Sequence, residues 1–436
     1  MTSSKLPYRM IMSYRISLIC SALLLLPSIA LAGNWSHWRG PSGNGSSSDA
    51  KPPVEWSATK NVKWKVLIPG RGSGSPVIWE DKVFVVTAVA ADGGAGFDGE
   101  NLSKLAFKIF CFDRKTGRVL WEKTAAESTP HEGTHSTNGF ASASPCTDGT
   151  HVYAYFGSRG LFCYTMDGEF VWKRDDFGKM ETRNGFGEGS SPTLIGDKIL
   201  VPWDHEGPSA LYALESLTGK TIWKTERDEP TNWSTPLVVK HGGITQVVMN
   251  GQTCARGYDL ASGKELWRCA GQTQRPVTSA VAIKDLVIVG SGHRGSFIGA
   301  FRLDGRGDLK GTKNVAWSWD RNTPDLASPL ISETRLYFHK GKSSQLSCVN
   351  PITGEAHYTA ARIPNLSTLY ASPVAAGGHV YITGRSGTTV VIKDSEKLKI
   401  VATNSVGEGV DATPAPVDNE LFIRGERHLF CIAEKK

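Results

Sequence analysis

The sequence predicts an all-β chain folded as an eight-bladed β-propeller of four-stranded antiparallel blades. Three observations lead there. A four-strand unit recurs eight times with a period in the forties, each copy carries the same short mark, and the last copy is one strand short while the front of the chain has one to spare.

The clearest copy of the unit runs from Ser191 to Trp223. Thr193-Leu194-Ile195, a Gly196-Asp197 turn, Ile199-Leu200-Val201, Leu211-Tyr212-Ala213-Leu214, a Thr218-Gly219 turn and a strand ending at Trp223 read as an antiparallel meander. The equivalents of Pro192 are Pro76, Pro145, Pro236, Ala280, Pro329, Pro373 and Pro414. Just before each stands a hydroxyl residue: Ser75, Ser144, Ser191, Thr235, Ser279, Ser328, Ser372 and Thr413. One further back are Gly74, Ala143, Ser190, Ser234, Thr278, Ala327, Ala371 and Ala412, small enough for strands crowding a common axis. Seven residues after the mark a second strand begins in seven copies, at Val83, Val152, Ile199, Val287, Leu336, Val380 and Leu421. The fourth copy departs, with a longer turn expected over Lys240-His241-Gly242-Gly243 before Val247-Val248.

The eighth copy ends after Leu429-Phe430-Cys431-Ile432, one strand short. Val62-Lys63-Trp64-Lys65-Val66 lies ahead of the first mark and carries a Trp like Trp121, Trp172, Trp223 and Trp267. The N-terminal strand is therefore expected to complete the last blade, leaving no open sheet edge in the ring.

Three segments follow from this register. Residues 1–32 combine Lys5, Arg9 and Arg15, an apolar run from Ile16 to Ile29 and an Ala30-Leu31-Ala32 end, the pattern of a secretory signal peptide, so the chain is expected to be periplasmic or secreted and not membrane-spanning once cleaved. Residues 33–61 are Gly-, Ser- and Pro-rich and read as an irregular segment crossing a surface, pinned by Trp35 and Trp38. Residues 62–436 form the propeller. An Asp92–Asn101 insertion lengthens the first blade.

The formal charge of +7 falls to +4 without residues 1–32, and no block of Lys and Arg interleaved with aromatics occurs, which argues against nucleic acid as a partner. Cys111, Cys163, Cys348 and Cys431 fall where other copies hold Ala or Gly and read as core thiols, whereas Cys146, Cys254 and Cys269 leave one disulfide open. His131, Glu132 and His135 have the spacing of metal ligands. Pro130 and Gly133 oppose the helix that would bring the two histidines to one face, so the stretch reads as a loop over one mouth of the ring.

No P-loop, nucleophile elbow or CxxC pair is present. Ligands of propellers meet the loops around the axis. If the mark opens the innermost strand, residues three and four before it line one mouth, and these include Glu188, Asn232, Trp233, Asp325, Tyr370 and Asp411. Three carboxylates, an amide and two aromatics suit a cation, a sugar or a basic peptide.

The blade ending Cys111-Phe112-Asp113-Arg114-Lys115-Thr116-Gly117-Arg118-Val119-Leu120-Trp121, repeated at Tyr258-Asp259-Leu260-Ala261-Ser262-Gly263-Lys264-Glu265-Leu266-Trp267, resembles the pyrroloquinoline quinone (PQQ)-like repeat. The chain after residue 32 resembles exported bacterial proteins of that type, including Trp38-Arg39-Gly40-Pro41 and the stretch from Asn138 to Trp172. The resemblance implies one of two activities, since such blades build both quinoprotein dehydrogenases and the BamB-type scaffold of outer-membrane protein assembly. The dehydrogenases pair adjacent cysteines with a Glu/Asn/Asp calcium set. Here no two cysteines are adjacent, and Glu188, Asn232 and Asp325 match only in residue type. The scaffold is a lipoprotein, and this chain has no lipobox. The resulting expectation is a non-catalytic binding or assembly scaffold for a protein, peptide or glycan, with no catalytic residue and no resident cofactor. The alternative is an oxidoreductase dependent on PQQ with calcium, or on another metal.

Overall fold

The computed structural model describes residues 1–2, 33–90 and 103–434. The expected signal peptide and the Asp92–Asn101 insertion lie outside the described residues.

Eight four-stranded antiparallel meanders succeed one another in chain order, each running from the axis outwards, and the sheets of blades four and seven each add a two-residue parallel strand, Gly307–Asp308 and Ser46–Ser47. Their innermost strands are Val77–Trp79, Cys146–Thr147, Thr193–Ile195, Leu237–His241, Val281–Ile283, Leu330–Ser332, Val374–Ala376 and Ala415–Val417, each beginning one residue after its mark. The second strands begin one residue earlier than the apolar pattern marks, as at Lys82, Lys198 and Glu420. In the third blade the outer strand is Thr221–Arg227, so it continues past Trp223. In the fourth blade Lys240 and His241 belong to the strand, and the turn is only Gly242-Gly243. Both glycines have positive φ, 54° and 80°, as a two-residue hairpin turn of type I′ requires. That turn lets both strands lengthen instead of looping.

Val62–Leu67 pairs antiparallel with His428–Ala433 and completes the eighth blade from the other end of the chain. The seam between blades eight and one is also charged. The buried Arg114 donates to Glu420 at 2.7 Å, to Asp418 at 2.8 Å and to the Glu80 carbonyl at 3.0 Å.

At the axis the hydroxyl residues before the marks form a closed ring of hydrogen bonds. The Ser75 amide donates to Ser144 Oγ at 2.8 Å, Ser144 to Ser191 at 2.9 Å, Ser191 to Thr235 at 3.1 Å and Thr235 to Ser279 at 2.8 Å. Ser279 donates to Ser328 at 2.9 Å, Ser328 to Ser372 at 2.9 Å, Ser372 to Thr413 at 3.1 Å and Thr413 back to Ser75 at 3.0 Å. Strands converging on an axis have no neighbour to complete their inner ladder, so a hydroxyl from the next blade satisfies each buried N–H. The small residues one position back leave the room. A Cβ on Gly74 would stand 2.6 Å from the Ala143 carbonyl.

On the outside, a tryptophan from one blade covers the glycine turn of the next. Trp172 lies over Gly219, Trp223 over Gly263 and Trp317 over Gly354. Each indole N–H donates to a carbonyl of that turn, at 2.9 Å to Ser216, 3.0 Å to Leu260 and 3.0 Å to Pro351. The positive φ of these glycines, 71° to 73°, and the stacked ring together leave no room for a side chain.

Cys111, Cys163, Cys348 and Cys431 are fully buried free thiols of the blade cores. Burial pushes Cys111, Cys163 and Cys348 up to about 12. Cys146, Cys254 and Cys269 are also free. Among the described residues no helix is long and apolar enough to cross a membrane.

Candidate functional site: the axial cavity

Residues 33–61 close one end of the axial channel. Trp35 is 1% exposed and bridges Ile78 of blade one, and the Thr147 amide of blade two donates to the Ser36 carbonyl at 2.9 Å. Asn44 exchanges two bonds with Ala282 of blade five, at 2.9 and 3.0 Å. Ser46–Ser47 pairs parallel with the inner strand of blade seven. Arg39 sits buried in the middle and donates to the carbonyls of Pro329 at 2.5 Å and Asn44 at 2.8 Å. With no carboxylate beside it, burial lowers its pKa to about 9. Trp38 reaches the axis from below, its indole N–H 3.3 Å from Thr413 Oγ1.

Above Trp38 and the hydroxyl ring lies a cavity of about 810 Å³. Its floor includes Ser75, Ser144, Ser191, Thr235, Ser372 and Thr413. Its walls are loops from two places in the repeat: those that lead into each innermost strand, and the hairpins between second and third strands, which alternation brings to the same end.

Of the six residues expected at this mouth, the structure brings Trp233, Tyr370 and Asp411 to the cavity wall. The other three lie elsewhere. Glu188 turns into a neighbouring pocket, where it accepts from the Ser158 amide and hydroxyl and from Arg159 Nη1 at 3.1 Å. Gly157, with φ 57°, makes that contact possible, since a Cβ there would fall 1.4 Å from Glu188 Oε2. Asn232 is buried against Asp204 at 3.0 Å and the Asn250 carbonyl at 2.6 Å. Asp325 is buried behind the wall, 3.4 Å from Arg275. Asp411 is itself held by Arg385 through two bonds of 2.6 and 3.1 Å.

The cavity wall is thus basic where the sequence suggested acidic. Arg183, Arg275, Arg294 and Lys342 line it, with Asp411 the one carboxylate. The acids were visible in the register because they precede the mark. The arginines that hold Glu188 and Asp411 come from the hairpins between second and third strands, whereas Arg275 lies in a loop before a mark, like the Asp325 it holds. His135 and His293 also line the cavity. Burial, with Lys342, Arg275 and Arg385 adding to it, holds His135 below its ordinary value, and burial with Arg275 does the same to His293.

His131, Glu132 and Glu188 bring one ligand atom each within 4.8 Å of the others. Their atoms are already engaged. His131 Nε2 lies 2.6 Å from the Met180 carbonyl, which makes it a donor, and Glu132 accepts from the Thr182 amide at 3.0 Å and from its hydroxyl at 2.6 Å. The stretch is not helical, as expected.

A family model of PQQ-type repeats, described as outer membrane protein assembly factor BamB, matches residues 106–305. No curated protein matches the chain. Among solved structures it is similar to a quinohemoprotein alcohol dehydrogenase from Comamonas testosteroni, with 10% identity, TM-score 0.62, 93% of this chain and 81% of that one. A europium-containing methanol dehydrogenase is similar at 9% identity and TM-score 0.60, over 90% of this chain and 89% of that one. The computationally designed Ika8 protein matches at 12% identity and TM-score 0.55, over 89% of this chain and 99% of that one. These likenesses are of fold. The residues present here do not fit a calcium-held quinone: all seven described cysteines are separate free thiols, and the carboxylates of the mouth are bound to arginine or to backbone amides.

Proposed function

We propose that this chain is an exported, non-catalytic binding scaffold that receives a protein, peptide or glycan partner in the open mouth of the axial cavity. Export rests on the pattern of residues 1–32. The observation that carries the reading is the contrast between spent and unspent groups at the mouth. A hard cation needs free oxygen ligands. Glu188, Asp325 and Asp411 are each held by an arginine, at 3.1, 3.4 and 2.6 Å. What remains open is a cavity of small-ligand size with donors around it.

The alternative, an oxidoreductase using PQQ with calcium or another metal, would need those carboxylates released. The test runs both readings together. Calorimetric titration of the folded protein with PQQ is expected to give no binding that depends on calcium, and a benzoylphenylalanine in place of Tyr370 is expected to give a discrete photo-crosslinked species in the periplasm. Calcium-dependent binding of PQQ that Asp325→Ala weakens would overturn the scaffold reading. So would the absence of any adduct from position 370.

A further inference from the structure

We propose that the ligand of the axial cavity is a small organic polyanion, a molecule carrying two or more oxyanion groups. This inference rests on the binding reading above and adds the chemistry of what is bound.

The floor supplies the first argument. Each hydroxyl of the axial ring accepts a backbone N–H, and among the described residues none of the eight donates its own proton to another group of the protein. Six of these hydroxyls face the cavity. A hydroxyl has one proton and two lone pairs, so after accepting one N–H each still has its O–H to give, and the floor presents a set of unused donors. Donors pair with acceptor-rich ligands, and carboxylates and phosphates are the most acceptor-rich of these.

The walls supply the second. Arg275 and Arg385 are matched by Asp325 and Asp411. Arg294 and Lys342 line the cavity, are exposed, and have no carboxylate partner among the described residues. Lys342 stands 5.7 Å from the centre of the Tyr370 ring, and Arg385 stands 4.4 Å from it. The positive field of this wall is felt independently by His135 and His293, which Lys342 and Arg275 both hold towards the neutral form in addition to burial. A cavity with surplus cations, few acceptors and one committed carboxylate disfavours basic and cationic ligands and concentrates anions. Its volume of about 810 Å³ is that of a small-molecule site.

His135 is faced by Lys342, Arg275 and Arg385, and His293 by Arg275, Arg294, Lys342 and Asp325. Both are held below the ordinary histidine value of 6.5, so at neutral pH the positive charge of the wall comes from its arginines and lysine.

The experiment is calorimetric titration of the full chain with citrate, trigalacturonate and pyrophosphate, with neutral maltotriose as the control. These arms separate a free polycarboxylate, an acidic glycan end and a phosphate source. At least one anion is expected to bind saturably, more weakly at high salt, and at least tenfold more weakly to the Arg294→Ala, Lys342→Ala double variant. Both side chains are exposed, so the variant is expected to keep the wild-type melting profile. Failure of all three anions with the folded protein would overturn the inference, as would binding that the double variant leaves unchanged. If maltotriose binds, or position 370 still crosslinks a partner, while the anions fail, the scaffold reading survives and only the polyanion falls.

Discussion

The two ends of the axial channel are finished in opposite ways. At the closed end, residues 33–61 commit their polar groups to the blades, Asn44 to Ala282, Ser46–Ser47 to a strand of blade seven and Arg39 to carbonyls of two blades, and only Trp35 Nε1, Trp56 Nε1 and Arg39 Nε stay buried without a partner among the described residues. At the open end the loops leave groups over, namely the ring hydroxyl protons, Arg294 and Lys342. A surface that has spent its polar groups is part of the fold. One that holds unspent donors in a cavity is where a ligand is met. The difference assigns stability to one mouth and recognition to the other.

The largest break in that comparison is expected at Trp35. It is 1% exposed and packs the closing segment against the core of blades one, seven and eight. Trp35→Ala should cost about 3–5 kcal/mol, read as a shift in the denaturant midpoint. Next is Arg114, which ties blade one to Asp418 and Glu420 of blade eight beside the start of the same segment. Arg114→Met leaves two carboxylates without their cation at the seam where the ring closes. A loss of about 2–3 kcal/mol is expected, below the value for a fully buried pair because Asp418 is partly exposed. If either substitution altered ligand affinity while leaving the midpoint in place, the division between the two ends would be wrong.

The same division marks how much could be read from the sequence. The blades, the shared eighth blade and the core cysteines follow from periodicity, because burial repeats with the backbone. The hydroxyl residues before Pro192 and its equivalents were visible as a register mark, but their use was not: a hydrogen bond from Thr413 to Ser75 joins residues with no proximity in sequence. The sign of the mouth differs between sequence and structure for the same reason. Asp411 and Glu188 are a few residues before a mark and were found, while Arg385 and Arg159 lie in the hairpins between second and third strands. A signal existed there, since basic residues recur beside glycine in Gly157-Ser158-Arg159-Gly160, His293-Arg294-Gly295, Gly341-Lys342 and Gly384-Arg385. Of these, Arg159 pairs with Glu188 and Arg385 with Asp411.

A third test acts through pH near the open end. His339, in the second strand of blade six a few residues before Lys342, is fully buried, and burial lowers its pKa to about 4. The unfolded chain takes up this proton near 6.5 and the folded chain only near 4, so stability is intact above 6.5 and falls as the pH drops through that window. The loss approaches about 3 kcal/mol at pH 4, at roughly 1.4 kcal/mol per unit. His339→Leu should flatten that part of the pH profile of thermal melting. An unchanged slope would mean that the acid sensitivity lies elsewhere.

The smallest effect is expected at the boundary between the two ends, the hydroxyl ring itself. Ser191→Ala removes the acceptor of the buried Ser144 amide, and a buried donor left unmatched costs about 1–2 kcal/mol. Ser191→Thr keeps the acceptor and should stay within about 0.5 kcal/mol of wild type, because Thr235 and Thr413 already fill equivalent places. The same pair of variants also tests the cavity floor, since alanine deletes one of the hydroxyls facing the ligand and threonine retains it. Stability lost with alanine and restored with threonine, accompanied by a parallel loss and recovery of anion binding, would show that one ring both closes the fold and offers donors to the site. Binding that ignored both substitutions would confine recognition to the charged loops above.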